Sequence, residues 1–191
     1  AAGEEKVRRA IELDPNNVGA YQALATYLLE SGRAQDAITT YVSAVQKQPN
    51  SAPLHFTLAT LFESVGERGN AKLHYEEAVK LDPNLAIAKN NLAYVMADEG
   101  ENLDRALDLA QEAKSKLPES GSVADTLGYV LLKKGIPEAA ISYLREAEAG
   151  FKPNSPDIGA VRMHLAMACD ANSEPDKARE VLLRAIATLE E

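Results

Sequence analysis

Two stretches decide the fold when one is written above the other: ALATYLLESGRAQDAITTYVSAVQKQPN (residues 23–50) and TLATLFESVGERGNAKLHYEEAVKLDPN (residues 57–84). Leu24 falls on Leu58, Gly32 on Gly66, Ala37 on Ala71, Tyr41 on Tyr75, Ala44 on Ala78 and Pro49 on Pro83, every pair 34 residues apart. The pattern continues through Leu92, Gly100, Ala106, Ala110, Ala113 and Pro118, and again through Leu127, Gly135, Ala140, Leu144 and Ala147. A fainter copy runs through Leu165, Ala178, Leu182 and Ala185, and residues 4–17 match only the second half of a unit, with Ala10 and Pro15 in register. Self-similarity at a fixed period of this length marks a repeat architecture, in which each unit is one supersecondary element stacked on the next.

Composition sets the outer limits. The 191 residues are 46% hydrophobic and only 5% aromatic, with no Trp, which suits helices rich in Ala, Leu, Glu and Lys. A net charge of -9 argues against nucleic acid as partner, and no apolar run reaches membrane-spanning length, so direct membrane insertion is not expected. The start, AAGEEKVRRA, lacks the apolar stretch of a signal peptide. The single cysteine, Cys169, excludes an internal disulfide and is silent on compartment.

These residues resemble the tetratricopeptide repeat, whose 34-residue unit is a helix-turn-helix, over essentially the whole chain. The resemblance implies an all-α, right-handed solenoid of antiparallel helix pairs, one domain over 1–191. It divides into a half repeat at 4–17 and repeats at 18–51, 52–85, 86–120, 121–156 and 157–191. Helices are expected near 4–13, 18–30, 34–47, 52–64, 68–81, 86–98, 102–116, 121–134, 137–149, 157–171 and 175–189, with no strands.

The recurring small residues then have reasons. Glycine within a helix costs about 1 kcal/mol relative to alanine, yet Gly128 sits inside the amphipathic stretch ADTLGYVLLKKG (124–135). It shares its position with Ala25, Ala59, Ala93 and Ala166. In this family, that is where the second helix of a unit crosses the first closely. Gly32, Gly66, Gly100 and Gly135 end first helices, where a left-handed cap favours glycine. Two departures stand out: GENLDRA (100–106) carries one residue more than GRAQDA (32–37), and GFKPNSPD (150–157) replaces a short turn, with an ordered protruding loop expected there. Ser173 stands where glycine is usual, so the last unit is expected to tilt differently.

Members of this family normally bind protein or peptide ligands on the concave wall made by the first helices. Carried over by position, that wall includes Gln22, Thr26 and Glu30; Phe56, Thr60 and Glu63; Asn90, Asn91, Tyr94 and Asp98; Asp125, Thr126, Tyr129 and Lys133; and Met163, His164 and Met167. Tyrosines and methionines at helical spacing suit an apolar helix or extended peptide, although Tyr94 and Tyr129 equally suit packing between adjacent repeats. Chaperone-binding members hold a terminal carboxylate with Lys, Arg and Asn. Asn91 fits one element of that clamp, but Gln22, Phe56, Ser122 and Thr126 stand where basic residues are needed.

No catalytic constellation emerges, and neither an enzyme nor a cofactor is expected. His55, His74 and His164 are scattered one per region without metal-ligand spacing, with His55 and His74 read as packing or surface residues. Cys169 matches the apolar core positions Leu28, Phe62, Met96 and Leu131, so it reads as buried and inert. The segment GSVADTLG (121–128) is a helix start and no phosphate cradle.

The array opens on an orphan second helix and closes on KAREVLLRAIATLEE (177–191), leaving Val181, Leu182, Ile186 and Leu189 only partly covered. A fragment of a longer array is expected; self-association through uncapped ends, as a structural spacer or assembly module, is the alternative. The run 90–135, with NLAY, LDRALDLAQEA and DTLGYV in that order, is similar to bacterial arrays of envelope and exopolysaccharide systems. That likeness implies a bacterial scaffold and leaves cytoplasmic and envelope-associated settings both open.

Overall fold

A computed structural model describes residues 2–152 and 155–187. Every regular element among them is an α-helix. The chain gathers into two compact units, residues 1–88 and 89–191.

The first unit holds α1 (Ala2–Leu13), α2 (Val18–Glu30), α3 (Ala34–Lys47), α4 (Ala52–Ser64) and α5 (Arg68–Leu81). Short turns force successive helices to run antiparallel, with α2 packed on α3 and α4 on α5. The small residues at their crossings are sealed: Ala25, Ala37, Ala44, Ala59, Ala71 and Ala78 are all buried. Around them lie Leu24, Leu28, Leu58, Tyr21, Tyr41 and Tyr75, among the largest fully buried side chains of the chain. Each such side chain contributes roughly 1.5–3 kcal/mol by leaving water.

The second unit contains most of α6 (Ala86–Glu99), then α7 (Leu103–Lys116), α8 (Gly121–Lys133), α9 (Pro137–Gly150), α10 (Ile158–Ala171) and α11 (Pro175–Ala187). Gly128 is fully explained here. A Cβ at that position would lie 2.6 Å from Leu144 Cγ and 3.2 Å from the Ala140 carbonyl oxygen, so α9 crosses α8 where only a hydrogen fits. Phe151 packs against the cluster of Ala124, Ala147 and Val161, pinning the start of the 150–157 segment; residues 153–154 of that expected loop lie outside the described residues.

First helices end alike in both units. Arg33 N–H donates to Leu28 O and Gly32 N–H to Leu29 O, the paired bonds of a Schellman cap, with Gly32 at φ +72°. The same pair recurs at Glu67/Gly66, Glu101/Gly100, Ile136/Gly135 and Glu174/Ser173. Ser173 thus adopts the cap that its neighbours give to glycine, at φ +60°. The extra residue of the 100–106 turn is accommodated by Asn102, also left-handed at φ +40°, whose side chain caps α7 by accepting from Arg105 N–H at 3.3 Å.

On the last helix the expectation of partial cover fails for Val181 and holds for Leu182 and Ile186. Val181 is buried, because it faces α10, while Leu182 is 36% and Ile186 52% exposed. Leu189 lies outside the described residues.

Candidate functional site

Helical spacing determines which side chains can share a face. Residues four apart stack one above the other, so Asn90, Tyr94 and Asp98 line α6, Asp125, Tyr129 and Lys133 line α8, and Met163 and Met167 line α10. In the second unit these stripes meet. Tyr94 and Tyr129 have ring centroids 5.3 Å apart, and Tyr129 stacks on His164 at 4.3 Å. Tyr94 lies 6.3 Å from His164, closing an aromatic trio drawn from three first helices.

Polar bonds lock the trio. Tyr129 O–H donates to Asp98 Oδ1 at 2.9 Å. His164 Nδ1–H donates to Asp125 Oδ1 at 2.9 Å, which fixes the ring plane and its tautomer. Lys133 Nζ hangs 5.5 Å from the centre of the Tyr129 ring, within cation–π range. Tyr129 is only 6% exposed, so it supports the face more than it presents one; the exposed apolar surface comes from Met163 and Met167, at 47% and 44%. Asn90 and Thr126 are also buried, each below the surface onto which the sequence places it. Asn90 Nδ2 donates to Asn91 Oδ1 at 3.3 Å, while Asn90 Oδ1 is sealed from solvent with no hydrogen-bond partner.

The first unit arranges its stripe differently. Gln22 and Thr26 are exposed, and Thr26 Oγ1 donates back to the Gln22 carbonyl at 3.0 Å. Thr60 Oγ1 likewise donates to Thr57 O at 2.8 Å, and Phe56 lies half-buried with its ring 5.9 Å from that of Tyr75. Tyr75 O–H donates to Glu63 Oε2 at 2.6 Å.

The histidines are not scattered. His55 of α4 and His74 of α5 face each other with their Nδ1 atoms 2.9 Å apart, brought together by the antiparallel pairing. His55 Nε2–H donates to the Pro49 carbonyl at 3.0 Å, so in the neutral pair its Nδ1 accepts and His74 Nδ1–H donates. Phe62 stacks on His74 at 5.6 Å. Burial, then the neighbouring His55, hold the His74 pKa below the ordinary imidazole value. A signal existed for His55 alone: it stands 34 residues after Tyr21, whose hydroxyl donates to Pro15 O as His55 does to Pro49 O.

Cys169 is buried and burial pushes its thiol pKa up, the reverse of an activated nucleophile. Among the described residues no group of three or more His, Cys, Asp or Glu side chains could hold a metal ion, and no helix is long and apolar enough to cross a membrane.

Paired amphipathic helices, small residues at each crossing and a side-chain-rich face on the first helices define a helical-repeat interaction module. The tetratricopeptide repeat profiles match residues 7–39, 56–121 and 126–189, and the chain belongs to the tetratricopeptide repeat family. That membership makes it a protein-binding scaffold in the general sense. No curated protein sequence matches the chain. Among solved structures it is similar to MamA (residues 41 to the end) from Desulfovibrio magneticus RS-1, at 15% identity and a TM-score of 0.71 over 89% of this chain and 93% of that one. It is also similar to BtubC from P. vanneervenii, at 21% identity and a TM-score of 0.74 over 99% and 87% of the two chains. YrrB, described as a tetratricopeptide repeat protein with an unusual peptide-binding site, aligns at 18% identity and a TM-score of 0.72 over 98% and 94%. At these identities the likeness is one of fold.

Proposed function

We propose that the chain is a non-enzymatic adaptor that binds a peptide or helix on the face of its first helices, chiefly through the second unit. The observation that carries this reading is the trio Tyr94, Tyr129 and His164, flanked by the exposed thioethers of Met163 and Met167. Aromatic rings held in place by side-chain hydrogen bonds give contact area at little entropic cost, and methionine adapts its shape to whatever lies on it. Asn91, beside the buried Asn90, is placed to hydrogen-bond a peptide backbone. Gln22, Thr26, Phe56 and Thr60 form the corresponding face of the first unit and contribute more weakly, the hydroxyls of Thr26 and Thr60 being already engaged.

A second reading has its own observation: α11 leaves Leu183 61% and Ile186 52% exposed, a surface suited to assembly with another copy or another chain. One experiment separates the two. Partners captured from a lysate of the source organism are compared for the parent chain, for Tyr94→Ala/Met167→Ala, and for Leu183→Asp/Ile186→Asp. The adaptor reading expects specific partners to vanish with the first pair while helicity is retained. Partners unaffected by the first pair and lost with the second would overturn it and establish assembly through α11.

A further inference from the structure

Sulfur is sorted by depth in the second unit, which holds all three methionines and the one cysteine of the chain. Met96 on α6 and Cys169 on α10 are sealed, at 2% and 1% exposure, whereas Met163 and Met167 on α10 stand at 47% and 44%. Four residues apart, the two exposed thioethers share one face of the helix. A thiol would ordinarily compete with them for an oxidant, but it is the thiolate that peroxides attack. In Cys169 that form is suppressed, because burial, and after it the nearby Glu174, pushes the thiol pKa up. The sulfurs that a peroxide meets from solvent are therefore a pair of thioethers.

Oxidation there changes the surface and spares the packing. A thioether is apolar and adaptable, while its sulfoxide carries a polar sulfur–oxygen bond. The side chains that seat α10 are others: Ile158, Val161, Leu165, Ala166, Ala168 and Cys169 are buried on its inner side. An oxygen added at residue 163 or 167 stands in water and displaces none of them. An oxygen added to Met96 would instead enter the core.

We propose that Met163 and Met167 are a paired, reversible oxidation site, at which a hydroperoxide converts both thioethers to sulfoxides and closes the apolar part of this face to a partner. In each step a sulfur lone pair attacks the distal peroxide oxygen. The sulfur–oxygen bond forms as the oxygen–oxygen bond breaks, sulfur loses two electrons, and the proton of that oxygen passes to the departing group, which leaves as water or alcohol. Methionine sulfoxide reductases restore the thioethers, one enzyme for each sulfur epimer. There a dithiol is the reductant, becoming a disulfide as the oxygen leaves as water. The effect on binding rests on the adaptor reading above; the oxidation itself does not.

The test treats the 191-residue chain with hydrogen peroxide and follows each sulfur by peptide-mapping mass spectrometry. Met163 and Met167 should each gain one oxygen about tenfold faster than Met96 or more, with Cys169 still a free thiol and the melting temperature unchanged. Both reductases with dithiothreitol should remove the two oxygens. Modification of Met96 or Cys169 at a similar rate, or a lower melting temperature once residues 163 and 167 are oxidised, overturns the proposal. After the peroxide is removed, partner capture is compared for the untreated, oxidised and re-reduced chain, and for Met163→Leu/Met167→Leu after the same treatment. Capture should be lost on oxidation, return on reduction, and persist in the treated leucine variant. Equal loss in the leucine variant would trace the effect to another residue and overturn the proposal. Capture indifferent to oxidation overturns it as well; if Tyr94→Ala/Met167→Ala still abolishes capture, the adaptor reading stands. A chain that captures no partner in any state overturns the adaptor reading, and the effect on binding with it.

Discussion

Gly128→Ala tests the packing logic of the repeat in one methyl group. The added Cβ would stand 2.6 Å from Leu144 Cγ and 2.9 Å from its Cδ2, with the Ala140 carbonyl at 3.2 Å. Carbon atoms rest about 3.5–4.0 Å apart, so Leu144, which is fully buried, must retreat by about 1 Å or α9 must lift. Overpacking of this kind costs about 1–3 kcal/mol, against a helix-propensity gain of about 1 kcal/mol for Gly→Ala. The net expectation is a loss of about 1 kcal/mol, or roughly 2–4 °C in Tm for a chain of this size. Four other units tolerate alanine at the equivalent position. The residue sixteen further on is Tyr41 or Tyr75 in two of them and a leucine, Leu109 or Leu182, in the other two, so the clash comes from how closely Leu144 and the Ala140 carbonyl approach Gly128 and not from the residue type alone. The sign should therefore invert in a Leu144→Ala background. That change alone costs about 2–5 kcal/mol, and adding Gly128→Ala to it should recover up to about 1 kcal/mol. Urea unfolding followed by far-UV circular dichroism measures all four proteins, and amide exchange in α8 localises the effect should the array unfold in stages. The same sign for Gly128→Ala in both backgrounds would refute the reasoning.

Two further outcomes are expected. Ser173 holds φ +60° in a cap that four other units give to glycine, so Ser173→Gly should raise stability by about 1 kcal/mol; an unchanged or lower melting point would mean that the serine side chain compensates locally. His74 has its pKa held low in the fold, chiefly by burial, so the unfolded chain takes up a proton first as pH falls through the ordinary imidazole value of about 6.5. Its contribution is complete above that pH and declines below it. His74→Gln, which keeps a donor for His55 but does not titrate, should flatten urea stability between pH 7.5 and 5.5, and an undiminished slope would exclude the pair as its origin.

The helices were legible because their signals are local. The 34-residue recurrence fixes which residues cap, cross and turn, and the expected boundaries hold to within two residues over the described chain. Gly128 was readable as a close crossing, since five small residues at one position leave little else for them to do. What escaped reading were contacts made across helix pairs by residues that recur in no other unit. His55 replaces a tyrosine of the first repeat yet keeps its bond to a proline carbonyl, but nothing along the sequence says that His74 faces it. The 34-residue offset compares equivalent positions, whereas α4 and α5 pair non-equivalent ones.

The aromatic face shows the same limit from the other side. The sequence places Asn90, Thr126 and Tyr129 on helix stripes but does not give their depth, for Tyr129 leaving packing and exposure both open, because depth depends on the neighbouring helix. Tyr129 sinks to 6% exposure since Tyr94 and His164 sandwich its ring and Asp98 takes its hydroxyl. Of the two roles open for it, filling space between repeats is the one its contacts bear out: it packs against α6 and α10 and holds the neighbouring rings in place. A repeat array can vary its exposed residues freely only if something beneath them holds the first helices in register. In this unit that duty falls on a buried polar network, so substitutions at Tyr129 or His164 are expected to disturb the fold and, on the proposed adaptor reading, recognition with it. On the proposed adaptor reading, changes at the exposed Met163 and Met167 are expected to act on recognition with little effect on the fold, and binding experiments on this face should include them.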